Sequence, residues 1–307
     1  MASTTERPTR MNSACTPLLP ATKSRVGPSM LPTPVRHREL RTLLKGHQDA
    51  DFICQGFQYG FRLGYEGKHD NVSVVRNSAS VSHNVEVALE KIHGELDLDR
   101  IAGPFPYPPF VNFKCSPLAL REKSTPGKFR LLHNLSYPYD LSSVNLNIPD
   151  AAANVSYASV TDAFDVINSL GSCFLSKSDI ADAFRIVPLH PSQYRLTGFK
   201  IAKNYYFDKC LPMGARSACQ IFERVSDGLK YILQNTYKVS HVIKVLDDFL
   251  FIGKTREECL YGLECFKSLC NRVGVPLAAH KTVQPTRNLS FLGIQMDTVT
   301  HMASIPE

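Results

Sequence analysis

The stretch VIKVLDDFLFIG, residues 242–253, sets two adjacent carboxylates, Asp247 and Asp248, inside a run that otherwise reads as buried strand. Ionised carboxylates are costly in such a place unless a counter-charge compensates them. The run reads as two short strands with the aspartates at the bend. Asp is a favoured turn residue, so taken alone the doublet is an ordinary hairpin turn.

The surrounding pattern gives the doublet more meaning. KFRLLHNLS (128–136) reads as a strand after the turn STPG, and DAFDVINSL (162–170) as a helix ending at Gly171. CFLSKSDI (173–180) is a strand, and FKIAKNYYFDKCL (199–211) a hairpin turning at residues 202–204. Residues 216–234 carry Ala218, Ile221, Phe222, Val225, Leu229, Ile232 and Leu233 on one helical face. Thr255 and Glu258 form a capping box ahead of a second apolar stripe, Leu260 to Val273. VPLAAHKTV and LSFLGIQMD read as closing strands. Strand, helix, strand-turn-strand, helix, strand is the order of an α+β, ferredoxin-like (split βαβ) unit. In that unit the strand ending at Asp179 lies beside the hairpin, so Asp179, Asp247 and Asp248 are expected to converge at one sheet edge. Three neighbouring carboxylates repel unless divalent cations bind between them. Oxygen ligands suit Mg²⁺, and two such ions about 3.5–4 Å apart can clamp both oxygens of an in-line phosphoryl displacement.

The N-terminal third is less ordered in pattern. Residues 1–45, rich in Pro, Ser, Thr and Arg, are expected to form a disordered basic tail. Residues 46–100 form a helical lead-in, with helical spacing over 44–67 and 85–98. GPFPYPPF (103–110) is a stiff, proline-rich surface segment. A net charge of +7 is compatible with a polyanionic partner without demonstrating one. No run of about 18 apolar residues exists, so no membrane span is expected. The start MASTTERPTRMNSACTP lacks a signal-peptide core, and an intracellular place, cytoplasmic or nuclear, is expected. Nine cysteines lie outside any paired CxxC pattern, which points to reduced, mostly buried thiols.

Taken together, the motifs resemble those of reverse transcriptases across roughly residues 100–296. LSKSDIADAFRIVPLHP resembles the first catalytic motif. YFDKCLPMGARSACQIFERV resembles the LPxG-to-helix motif, and VLDDFLFIG the xxDD hairpin. AAHKTVQPTRNLSFLGIQM resembles the lysine motif and primer-grip turn, and REKSTPGKFRLLHNLS the fingers hairpin. The wording of LPMGARSA and LDDFLFIG is similar to DIRS-like and gypsy-like retrotransposons. The resemblance implies a right-hand polymerase with fingers (about 101–160 and 187–215) and palm (about 161–186 and 216–296) within residues 101–300. The implied reaction is RNA-directed addition of deoxynucleotides to a primer 3′-hydroxyl.

By residue, the resemblance implies that Asp179, Asp247 and Asp248 hold two Mg²⁺ ions, with Mn²⁺ as a substitute, and that Ile180 lends a backbone carbonyl. Phe184 would be the steric gate against a 2′-hydroxyl, or else a core Phe. The Ala183 and Phe184 amides would face the triphosphate of the deoxynucleoside triphosphate. Lys123 and Arg130 would fold over its phosphates, or else be ordinary exposed cations. Gly214 would let the backbone approach nucleotide and template closely. Lys281 would protonate the leaving pyrophosphate, and Phe291, Leu292 and Gly293 would begin the primer grip. Asp182 reads as a capping or supporting residue.

Val245-Leu246 stands where retroviral enzymes carry Tyr-Met, and Met213 where Gln is common. The sequence stops at Glu307, just past the FLG turn. The thumb is therefore expected to be largely absent, and the chain to be a fragment of a retroelement polyprotein that also carries thumb and ribonuclease H. Two rivals stand beside this reading. One is a non-catalytic nucleic-acid-binding remnant. The other is a template-independent palm-fold nucleotidyl transferase, which lacks a fingers segment like 121–136.

Overall fold

The computed structural model describes residues 31–67, 75–123, 125–140 and 142–305. Helices α1 (His37–Leu43) and α2 (Ala50–Tyr59) come first. The expected tail over 1–45 is thus corrected for 37–43, while residues 1–30 lie outside the described residues. A Pro- and Arg-rich composition hides four apolar residues, Val35, Leu40, Leu43 and Leu44, all buried in the main core. Helices α3 (Ala79–His83) and α4 (Val85–Asp97) complete the expected helical lead-in.

Strand β1 (Ile101–Phe105) takes the first residues of the expected surface segment. It tolerates Pro104 because it is an edge strand with an irregular register. Strands β2 (Leu118–Glu122) and β3 (Phe129–His133) form a separate hairpin. Helix α5 (Val160–Leu170) starts at a capping box of Ser159 and Asp162 and precedes β4 (Phe174–Asp179). Strands β5 (Gly198–Ile201) and β6 (Asn204–Asp208) turn through Ala202 and Lys203, both at positive φ, and join β1 in a three-stranded sheet ordered β1-β6-β5.

The catalytic candidates belong to the next unit. Helix α6 (Ala218–Asn235), hairpin β7 (Val242–Val245) and β8 (Asp248–Gly253), helix α7 (Arg256–Val273) and β9 (Val283–Thr286) follow β4. The sheet order β7-β8-β4-β9, antiparallel throughout, is the ferredoxin-like arrangement expected. The Thr255–Glu258 capping box opens α7 as read from the sequence. VPLAAHKTV is not one strand, because a short 3₁₀ turn, Ala279–Lys281, interrupts it before β9. Strands β10 (Asn288–Phe291), β11 (Ile294–Asp297) and β12 (Met302–Ser304) make a third sheet.

Strand β8 is apolar on both faces because both faces are covered. Phe249 and Phe251 pack against Phe266 of α7, in the core shared with α6. Leu250 and Ile252 pack into a second core with Ala163 and Ile167 of α5 and Phe291 of β10.

The N-terminal segment is bound into the back of this unit. The Arg36 guanidinium donates to the carbonyls of Asn271 (3.1 Å) and Arg272 (3.0 Å), and its backbone N–H donates to Val273 (2.7 Å). These bonds satisfy carbonyls that the end of α7 leaves open. Gly228 of α6 lets Ile53 and Leu44 approach, since a Cβ there would lie 2.7 Å from Ile53 Cδ1.

Leu40→Ala is expected to cost about 2–5 kcal/mol of stability, as for other buried leucines. A urea titration checks this; a residue in a loose tail would leave the midpoint unmoved.

Candidate active site

The register of β4 against β8 pairs Asp179 directly with Asp248, and the Ile180 N–H donates to the Asp247 carbonyl (2.9 Å). Asp179 and Asp248 therefore meet at the end of the two central strands, with Asp247 near enough for the Asp179 charge to act on it. The expected position at a sheet edge is corrected, because β7 and β9 are the edges. Asp179 and Asp248 project to the same face as Leu175, Leu250 and Ile252, away from α6 and α7. Asp179 is 6% exposed. Its Oδ1 and Asp248 Oδ1 are buried without a hydrogen-bond partner. Burial, reinforced by the Asp179 charge, pushes the Asp248 carboxyl up to about 7. Asp247 is raised by burial and by Asp179, and is held down in part by Lys281 and Arg130. Lys281 places its Nζ 2.5 Å from Asp179 Oδ2, and this bond raises the ammonium above its ordinary range.

The bend that carries the doublet is strained and clamped. Leu246 takes φ +52°, a region costly for a branched residue. Its N–H donates to Glu223 Oε2 (2.9 Å). The other oxygen of Glu223 accepts from Lys244 Nζ (2.7 Å), which also reaches Asp227 (2.7 Å), the Ser226 hydroxyl and the Glu223 carbonyl. Lys244 and Glu223 are 3% and 5% exposed. Sequence reasoning missed both, although a lysine inside the apolar run VIKV was the available signal.

Arg130, whose charge acts on Asp247, lines a cleft of about 290 Å³ together with Lys123, Lys91, Asp182, Arg185 and Met213 among others. Lys123 and Arg130 stand at the free end of the β2–β3 hairpin and are exposed. An ionic network with Asp208, His133 and Arg100 buried in it was also missed from sequence. Arg185 reaches Glu95 (2.7 Å) and Asp208 (2.8 Å), Asp208 accepts from His133 Nδ1 (3.0 Å), and Arg100 reaches Asp182 (3.0 Å). Burial alone would raise Asp208, but Arg185 and His133 outweigh it and hold the carboxyl below its usual range. Asp182 is thus a supporting residue at φ +54° rather than a side-chain cap.

The remaining residues divide. Ala183 and Phe184 lie in a short 3₁₀ turn, Ala183–Ile186, and both are buried. The Phe184 ring lies 5.3 Å from that of Phe222, so it is a core residue. Gly214 makes its close approach to protein, not to open space. A Cβ there would sit 1.9 Å from the His133 carbonyl oxygen, and Asn145 Nδ2 donates to the Gly214 carbonyl (2.8 Å). Phe291 is fully buried and anchors its hairpin from within. Only Leu292 and Gly293, at φ +51° and +78°, are exposed at the tip where a primer grip would act.

The donor set fits a hard divalent cation: carboxylate oxygens, two of them buried and unpartnered. Among the described residues, no group of three acidic, histidine or cysteine side chains is already arranged around one ion position. Lys281 instead supplies the positive charge at Asp179. No helix among the described residues is long and apolar enough to cross a membrane. The eight described cysteines are unpaired, and seven are buried.

Glu223→Ala strips the bend of its acceptor and leaves Lys244 short of a partner. It is expected to cost about 3–5 kcal/mol, with Glu223→Gln milder because an acceptor for Leu246 remains. Denaturant titration of the three proteins checks the order. Asp208 stabilises the fold above the ordinary carboxylate range, and that contribution is lost as pH falls through its lower folded value. Asp208→Asn is therefore expected to be less stable at neutral pH and to lose less on acidification, read from urea midpoints against pH.

The chain is 26% identical over 175 residues to the genome polyprotein of Petunia vein clearing virus (isolate Shepherd), covering 57% of this chain and 7% of that protein. It is 26% identical over 151 residues to the enzymatic polyprotein of cauliflower mosaic virus (strain Strasbourg), covering 47% of this chain and 22% of that protein. The chain thus spans less than a quarter of the length of these relatives. The foamy viral protease-reverse transcriptase in complex with dsDNA superposes with a TM-score of 0.59 at 15% identity, over 88% of this chain and 56% of that one. Native prototype foamy virus protease-reverse transcriptase gives 0.56 at 16% identity, over 78% and 28%. The fold is that of reverse transcriptase fingers and palm. Residues 122–296 match the family described as reverse transcriptase (RNA-dependent DNA polymerase), and the chain belongs to that family.

Proposed function

We propose that this chain is the catalytic core of an RNA-directed DNA polymerase, adding deoxynucleotides to a primer 3′-hydroxyl on an RNA or DNA template. The observation that carries the proposal is the cross-strand pair Asp179–Asp248. Its Oδ1 atoms are buried without partners, and the charge of Arg130, which lines a cleft with Lys123, acts on the adjoining Asp247. Asp179, Asp247 and Asp248 are the residues that would hold Mg²⁺, or Mn²⁺ in its place, with Ile180 adjoining. Bound there, the ions supply charge neutralisation for the attacking and leaving oxygens. Lys123 and Arg130 grip the triphosphate from the hairpin, where an Arg fork and a Lys point charge both serve. Lys281 holds a proton near the leaving group. The turn at Ala183 and Phe184 presents backbone to the phosphates, and the Phe184 ring limits the sugar.

We assign residues 101–160 and 187–215 to fingers and 161–186 and 216–296 to palm. The wording of LPMGARSA and VLDDFLFIG supports a DIRS-like or gypsy-like retrotransposon source. Thumb and ribonuclease H are the partners that the rest of such a polyprotein would supply. An inactive nucleic-acid-binding remnant would keep the basic cleft, but nothing would maintain three converging carboxylates at this cost.

Primer extension on poly-rA/oligo-dT with Mg²⁺ or Mn²⁺ tests the proposal. The wild-type chain is expected to extend the primer. Asp179→Asn and Asp247→Asn are expected to lose about 10²-fold or more in rate while still binding duplex. Binding should weaken steeply with salt. Equal inertness of folded wild type and Asp247→Asn would favour the remnant.

A further inference from the structure

Lys281 does more at the site than the proton-donor role assigned to it. Its Nζ lies 2.5 Å from Asp179 Oδ2, on a carboxylate whose side chain is 9% exposed. A divalent cation held between Asp179 and Asp248, which face each other across the central strands, would draw on the same carboxylate charge. The other oxygen of Asp179 is buried without a partner. The Lys281 ammonium is thus the one counter-charge hydrogen-bonded to this carboxylate among the described residues.

The backbone around Lys281 permits exchange. The turn Ala279–Lys281 is tied to β4 by the Ala278 N–H donating to the Asp179 carbonyl (2.9 Å). The Ile180–Leu277 bridge adds a second link. The base of the side chain is therefore held, while the side chain itself is 51% exposed on a flexible four-carbon stem. It can leave Asp179 for solvent without moving the strand.

We propose that the Lys281 ammonium and a divalent cation are alternative counter-charges for the Asp179 carboxylate. The inference rests on the carboxylates being the metal site of the proposed polymerase. Lysine then neutralises Asp179 until a cation arrives, and a cation must displace it to load. Displacement frees the ammonium beside the site, so the proton donor becomes available only when the carboxylates are loaded.

Mn²⁺ titration of the whole chain without nucleic acid, followed by the electron paramagnetic resonance of free Mn²⁺, tests this. Wild type, Lys281→Met, Lys281→Arg and Asp179→Asn are compared. Lys281→Met, which removes the competing charge at similar length, is expected to bind Mn²⁺ about tenfold more tightly than wild type. Lys281→Arg is expected to bind no more tightly than wild type. Thermal unfolding should show Lys281→Met less stable without Mn²⁺ and gaining more from it. Equal or weaker Mn²⁺ binding by Lys281→Met, with binding still lost in Asp179→Asn, overturns the competition and leaves the metal site standing. Binding that Asp179→Asn does not alter, or no binding by any variant, overturns the metal site and the competition with it.

Discussion

The pairing of Asp179 with Asp248 is the arrangement on which the rest of the molecule depends. Like charges directly opposite each other on a sheet oppose strand pairing. The pair persists because β4 and β8 are central strands with both faces covered, one by α6 and α7, the other by α5 and the β10–β11 hairpin. A one-residue slip would carry every apolar side chain of β8 to the wrong face. The apolar packing thus fixes the register, and the register fixes the carboxylates. The site is imposed by the core rather than stabilised by itself.

The same logic extends to the bend. Leu246 at positive φ would relax if its N–H were free, and Asp247 would move with it. Glu223 holds that N–H from α6, and Lys244 from β7 holds Glu223. Helix, strand and turn are joined through one buried ionic group. Its desolvation is tolerable because each charge finds several partners.

Much of this was legible in the sequence. The periodicity of α6 and α7, the capping box at Thr255, and the order of β4, β7, β8 and β9 all follow from local pattern. So did the convergence of Asp179 on the doublet. What stayed hidden depends on partners distant along the chain. Glu95 and Arg185 stand 90 residues apart, and no spacing rule links them. Gly214 carries a sequence signal for close approach, but the sequence does not say that the His133 carbonyl is what approaches. Phe291 reads as the start of the primer grip, yet it is the motif's buried anchor. Helix α1 was masked by prolines and arginines around four buried side chains, and Arg36 read as tail charge instead of a partner for the end of α7.

That last contact has a practical edge. Because residues 33–44 fill part of the central core and close the end of α7, the folded unit that carries the carboxylates includes them, well before the family match at residue 122. A version trimmed to the recognisable motifs would lose the lining of its own reverse side. It would expose the rear of α6 and α7 as a greasy surface prone to sticking.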